Sequence, residues 1–128
     1  HITGEARMSR ILVVDDEHDA CSLLQRILSV HGHEVFTFTE VSKALAWLEN
    51  HVPQLALVDI KMPELDGIRL LRRIRLQHPS IKVIMITGYP SAQTANEARQ
   101  LGIADYLIKP VEIDELEERI QRALESSS

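Results

Sequence analysis

A chain of 128 residues holds one compact core and is too short for two ordinary domains. Its apolar content of 45% is broken up everywhere, so no window reaches bilayer-spanning length, and a net charge of −5 with acids and bases interleaved leaves no basic stripe for a phosphate backbone. Membrane insertion and direct nucleic-acid binding are therefore not expected, and the lone cysteine, Cys21, forms neither an intrachain disulfide nor a cysteine-cluster metal site, which agrees with a reducing cytoplasm.

Residues 1–7 (HITGEAR) carry no periodicity and Met8 reads as a natural start, so 1–7 are expected to be an expression remnant and 8–125 the domain. Ile11-Leu12-Val13-Val14, entered from Arg10, reads as a strand closed by Asp15 and Asp16. A helix follows over about 17–31, with Leu23, Leu24, Ile27 and Leu28 at helical spacing, Cys21 as a small packer and Gly32 as a left-handed stop. Val35, Phe36 and Phe38 predict a short second strand. The next helix, about 41–50, places Val41, Ala44, Leu45 and Leu48 on one face, with Thr39 or Glu40 at its cap and Trp47 off that face. Leu55-Ala56-Leu57-Val58 is the third strand, stopped by Asp59.

Beyond Met62-Pro63 and the turn signal Asp66-Gly67, a third helix runs to about His78 with Ile68, Leu71 and Ile74 inward, and Arg69, Arg72, Arg73 and Arg75 read mostly as a solvated face. The fourth strand, 81–86, ends at Thr87-Gly88. The fourth helix, from Pro90-Ser91 to about Leu101, has only Ala92, Ala95, Ala98 and Leu101 at inward spacing. Alanine buries little area, so this helix gains least from packing and is the expected mobile element. Gly102 stops it, and 104–108 forms a fifth strand followed by Lys109. The last helix, about 113–125, turns Leu116, Ile120, Ala123 and Leu124 inward and pairs Glu115 with Arg119 and Glu118 with Arg122. Residues 126–128 read as a linker or the end of the expressed segment.

Continuous apolar runs bounded by helices are strands buried on both faces, so the alternation predicts an α/β domain with a parallel sheet. Ligands of such sheets bind at the carboxyl ends of the strands. Asp15, Asp16, Asp59, Thr87 and Lys109 then share one rim. Three carboxylates at short range keep their protons off only beside a cation, and oxygen-only ligation suits Mg²⁺ or Mn²⁺. The cation, Lys109 and the Thr87 hydroxyl would neutralise a phosphoryl group, and one aspartate would act as nucleophile. Taken singly, each residue has an ordinary explanation: Asp16 as a helix cap, Thr87 as another, Asp59 closing a turn, Lys109 solvated before a proline. All five at one rim argue for a site.

Val13-Val14-Asp15-Asp16-Glu17, Leu57-Val58-Asp59-Ile60-Lys61-Met62-Pro63-Glu64-Leu65-Asp66-Gly67, Ile86-Thr87-Gly88 and Asp105-Tyr106-Leu107-Ile108-Lys109-Pro110 together resemble the receiver domain of two-component response regulators, over nearly all of 10–124. The resemblance implies a flavodoxin-like, doubly wound sheet of five parallel strands in order 2-1-3-4-5 with five helices on both faces. It implies that Asp59 is the phosphoacceptor. It has Asp16 and Asp59 bind Mg²⁺ through carboxylates, Asp15 through water and Lys61 through its backbone carbonyl, while Thr87 and Lys109 hold the phosphoryl oxygens. Pro110 matches a proline whose peptide bond is cis. Thr87 and Tyr106 match the switch pair; for Tyr106 the other reading is a static rim aromatic with its hydroxyl in water.

The implied donor is a phosphohistidine on a sensor histidine kinase or phosphotransfer protein, and the module is a self-modifying signalling domain rather than an enzyme in the usual sense. Its output face is the fourth helix, fifth strand and last helix, through which the family often forms homodimers. The stretches around Thr87-Gly88-Tyr89 and 102–110 look most like the nitrogen-regulation type of transcriptional activator. A haloacid-dehalogenase-type phosphatase is a competing reading, but Lys61 stands where its second acid belongs. A flavodoxin-like cofactor binder lacks its phosphate loop here, and a contact-only pseudo-receiver would not need the five residues. All six histidines are expected in solvent, with His18 near the acid pair.

Overall fold

A computed structural model describes residues 9–60 and 65–125. The segments 1–7 and 126–128, together with Met8 and Lys61, lie outside the described residues. The chain alternates β1 (Arg10–Asp15), α1 (His18–Val30), β2 (Glu34–Phe38), α2 (Val41–Leu48), β3 (Leu55–Ile60), α3 (Leu65–Gln77), β4 (Lys82–Thr87), α4 (Ala92–Gln100), β5 (Asp105–Ile108) and α5 (Ile113–Glu125). All strand pairs are parallel and the sheet order is β2-β1-β3-β4-β5, the doubly wound, flavodoxin-like arrangement expected.

The three central strands are apolar throughout because each feeds two cores. Leu12, Val14, Ala56, Val58, Val83 and Met85 point into a layer filled by α2, α3 and α4 through Ala44, Leu48, Leu71, Ile74 and Ala98. Their alternate neighbours Ile11, Val13, Leu55, Leu57, Ile84 and Ile86 meet α1 and α5 through Cys21, Leu28, Leu116, Ile120 and Ala123. That period of two fixes register, since a slip by one residue would exchange the layers. The register opposes Asp15 to Asp59, Ile60 to Thr87 and Thr87 to Ile108, so the polar residues that end these strands share one rim.

Helix ends follow local chemistry. Gly32 (φ 93°) and Gly102 (φ 76°) take the left-handed conformation that stops α1 and α4. Ser91 caps α4, its Oγ accepting the Thr94 amide at 3.1 Å. Glu40 occupies the N-cap of α2 without a side-chain capping bond. Among the described residues no helix is long and apolar enough to cross a membrane.

Three sequence expectations are corrected. Leu23 is 52% exposed, and α1 instead packs through Cys21, Leu24 and Leu28, a face rotated by one residue from the one the Leu-Leu and Ile-Leu pairs left ambiguous. In α4 it is Thr94, Ala95 and Ala98 that are buried, while Ala92 is exposed. His33 is only 8% exposed, with Nε2 lying 3.8 Å from Glu117 of α5, and His78 Nε2 lies 3.2 Å from the Leu48 carbonyl oxygen. Arg69, Arg72 and Arg73 are exposed, as a mostly solvated face requires, while Arg75 is half-buried, donating to the carbonyls of Pro79 at 2.7 Å and Ile81 at 2.5 Å, so it ties the α3–β4 turn, and burial pulls its guanidinium pKa down. Trp47, off the inward face, is half-buried, in line with its expected partial exposure, with its ring 4.9 Å from that of Phe36 and 5.9 Å from that of Phe38 and stacked on His51.

Candidate functional site

Asp15 ends β1 with 1% of its surface exposed, and its orientation is fixed from two sides. Its Oδ1 accepts the Glu17 amide at 2.9 Å, and its main-chain carbonyl accepts the Cys21 thiol at 3.3 Å. Asp59, 8% exposed, stands across the β1–β3 register from it. Lys109 reaches in from the end of β5 to place Nζ 2.5 Å from Asp59 Oδ2. Its stem passes over Gly88, where an added Cβ would lie 3.8 Å from the lysine Cδ, and its amide donates to the Thr87 carbonyl at 2.8 Å. The Lys109–Pro110 peptide bond is cis, as the resemblance implied. Thr87 is 1% exposed, and its hydroxyl oxygen accepts the Tyr89 amide at 2.9 Å, so it does not cap α4.

Burial raises the Asp59 pKa to about 7, helped by the approach of the Asp15 carboxyl and opposed by Lys109. Asp15 Oδ2 and Asp59 Oδ1 are buried with no hydrogen-bond partner among the described residues. For Lys109, burial lowers the pKa, but the bond to Asp59 and the charges of Asp59, Asp15 and Glu17 outweigh it and leave the ammonium group above its ordinary value. The site is therefore two buried acids with one ammonium paired to Asp59. Two orphaned carboxylate oxygens are what a hard divalent cation would satisfy, so the donor set fits Mg²⁺.

Asp15, Asp59 and Lys109 come together, and Thr87 stands at the end of the neighbouring strand β4. Asp16 stays exposed at the mouth, and among the described residues no three His, Cys, Asp or Glu side chains converge closely enough to hold an ion alone. Such a site would need Asp16 to turn in, a main-chain carbonyl, or water. Cys21 is the buried packer expected, but its thiol's bond to the Asp15 carbonyl was not foreseen, the available signal being its place in the first turn after the acid pair.

Tyr106 packs against the layer of α2, α3 and α4, and its hydroxyl is buried with no partner among the described residues. The reading of its hydroxyl as lying in water is overturned: the ring is turned inward. An unpartnered buried hydroxyl costs about 1–3 kcal/mol. Tyr106→Phe is accordingly expected to raise stability in urea unfolding by about 1 kcal/mol. Lower stability in the variant would mean that the hydroxyl makes a bond in solution.

The model of the response regulator receiver domain matches residues 11–121. The transcriptional regulatory protein ZraR of Salmonella typhimurium is 40% identical over 114 residues, 89% of this chain but 26% of that protein. The chain thus spans about a quarter of the length of that relative. Sporulation initiation phosphotransferase F of Bacillus subtilis is 31% identical over 90% of this chain and 93% of its own length. Among solved structures, a CheY-like response regulator receiver domain protein from Methanospirillum hungatei superposes with a TM-score of 0.87 at 36% identity, covering 92% of this chain and 94% of that one.

Proposed function

The chain belongs to the response regulator receiver domain family, and from that membership we propose that it takes a phosphoryl group onto Asp59 from a phosphohistidine of a sensor histidine kinase or phosphotransfer protein. The observation that carries this is the Asp59 carboxylate, buried between Asp15 and Lys109 with one oxygen free of partners. Asp59 Oδ1 attacks phosphorus in line, the P–N bond to the imidazole breaks as the P–O bond forms, and the imidazole leaves. Lys109 transfers its ion pair from Asp59 to a phosphoryl oxygen, and the Thr87 hydroxyl donates to another while still accepting from the Tyr89 amide. Asp16 and Asp59 through their carboxylates, Asp15 through water and Lys61 through its carbonyl would hold Mg²⁺, or Mn²⁺, whose charge would neutralise the remaining phosphoryl oxygens. Water later attacks the acyl phosphate and restores the aspartate, so the chain performs both halves of its own cycle.

The phosphoryl dianion gives Thr87 a partner the free carboxylate does not, which shifts the population of the face formed by α4, β5 and α5. Through that face the domain, taken as 8–125, would control a transcriptional output in the cytoplasm, with homodimerisation as one mode.

Intact mass after incubation with Mg²⁺ and acetyl phosphate tests the reading. One phosphoryl adduct is expected, absent when the metal is chelated. An unmodified chain that also shows no Mg²⁺ binding would point instead to a module acting by contact alone.

A further inference from the structure

We propose that Cys21 is a positioning residue for the acid cluster: its thiol holds the Asp15 main chain in the place from which the two buried carboxylates can share a divalent cation. This rests on the assignment of that cluster as a cation and phosphoryl site.

Cys21 is buried in the first turns of α1, and it grips the loop between β1 and α1 twice. Its amide donates to the Glu17 carbonyl at 3.1 Å, opening the helix, and its thiol donates to the Asp15 carbonyl at 3.3 Å. The thiol also lies 3.7 Å from the carbonyl of Phe38, the last residue of β2. On the β2 side the register ends at Val14 opposite Phe38, so the Asp15 carbonyl lies just beyond the ladder. The thiol supplies a donor where the sheet has stopped supplying them.

The consequence reaches the carboxylate because Asp15 has little freedom left. With its carbonyl held by Cys21 and Oδ1 held by the Glu17 amide, only Oδ2 remains, a buried oxygen with no hydrogen-bond partner among the described residues. Loss of the thiol bond frees the main chain at Asp15, so the loop can turn its carbonyl toward another donor and take Oδ2 away from Asp59. Residues that orient a metal ligand commonly influence affinity by ten- to a hundredfold, and a neutral thiol bond to the main chain belongs at or below the low end of that range.

Packing and positioning predict opposite orders for two substitutions. Cys21→Val fills the site with about one methyl group more than the thiol and loses the donor, whereas Cys21→Ser keeps a donor and loses volume. Mg²⁺ titrations of the parent and both variants, followed by the amide shifts of Asp15 and Asp59, with a thermal melt of each chain, separate the two. The expected result is a dissociation constant raised about five- to tenfold by Cys21→Val and held within about twofold of the parent by Cys21→Ser, even where the serine chain melts lower. Equal affinity in parent and valine chains, or a serine chain as weak as the valine one, overturns the positioning role and leaves Cys21 as a packing residue. A parent chain that binds no Mg²⁺ overturns the site assignment itself, and the inference with it.

Discussion

An Asp59→Asn chain is expected to take up no phosphoryl group under conditions that modify the parent fully, and above pH 7 without metal to be the more stable of the two. The first half follows from the chemistry, since an amide oxygen is not a nucleophile of comparable strength and no other carboxylate among the described residues pairs with Lys109. The second half follows from burial. Folding holds the Asp59 proton to about pH 7, whereas an unfolded aspartate releases it near 3.8. Between those values the folded chain binds more protons than the unfolded one, so stability falls as pH rises through the window and levels off above it. Asparagine carries no such penalty, and its amide can donate to Asp15 Oδ2. The variant's advantage should be about 1–3 kcal/mol at pH 8 and should shrink towards pH 4.

Metal should reverse that order. A cation that binds only the folded parent adds about 2.7 kcal/mol at a concentration one hundred times its dissociation constant. Urea unfolding of both chains at pH 8, with and without excess Mg²⁺, reads the crossing directly. A parent more stable than the variant in the absence of metal would mean that Lys109 fully compensates the Asp59 charge and that the buried acids are not under strain.

The rim was legible in the sequence for a physical reason. Strands buried on both faces are continuous apolar runs, so the first polar residue after each marks where the sheet ends, and Asp15, Thr87 and Lys109 were found by that rule alone. Asp59 breaks it slightly, because β3 continues to Ile60. The two glycine stops were equally plain, since a left-handed residue after an amphipathic helix has few alternatives. What escaped were contacts to main-chain carbonyls. The bonds from Cys21 to Asp15 and from Arg75 to Pro79 and Ile81 end on groups that every residue carries, so no side-chain pattern announces them. His33 escaped because the turn after Gly32 sets its direction, and only the placement of α5 shows that Glu117 waits there. Leu23 failed for a narrower reason: adjacent apolar residues on a helix differ by one step of rotation, and the neighbouring strands decide which of them is covered.

Lys109→Met separates binding of the cation from transfer of the phosphoryl group. In the folded chain the ammonium group is itself the counter-ion of Asp59, at 2.5 Å from Oδ2. A divalent cation entering beside the two acids meets that positive charge as a repulsion, and removing it takes away a competitor for the same carboxylate. Mg²⁺ affinity at pH 8 is therefore expected to stay level or to rise. Transfer is another matter, because negative charge spreads over the phosphoryl oxygens as the bond to the donor breaks, and among the described residues the lysine is the ammonium paired with Asp59 and placed to receive it. Loss of a preorganised charge of this kind costs about a hundred- to a thousandfold in rate. The stem should still pack, since methionine keeps an unbranched chain over Gly88. Phosphorylation rates from acetyl phosphate at saturating Mg²⁺, set beside metal titrations of the same two chains, give both quantities. A variant that binds Mg²⁺ well and still modifies at the parental rate would reduce Lys109 to a counter-ion of the resting state and leave stabilisation of the transferring group to the cation and Thr87.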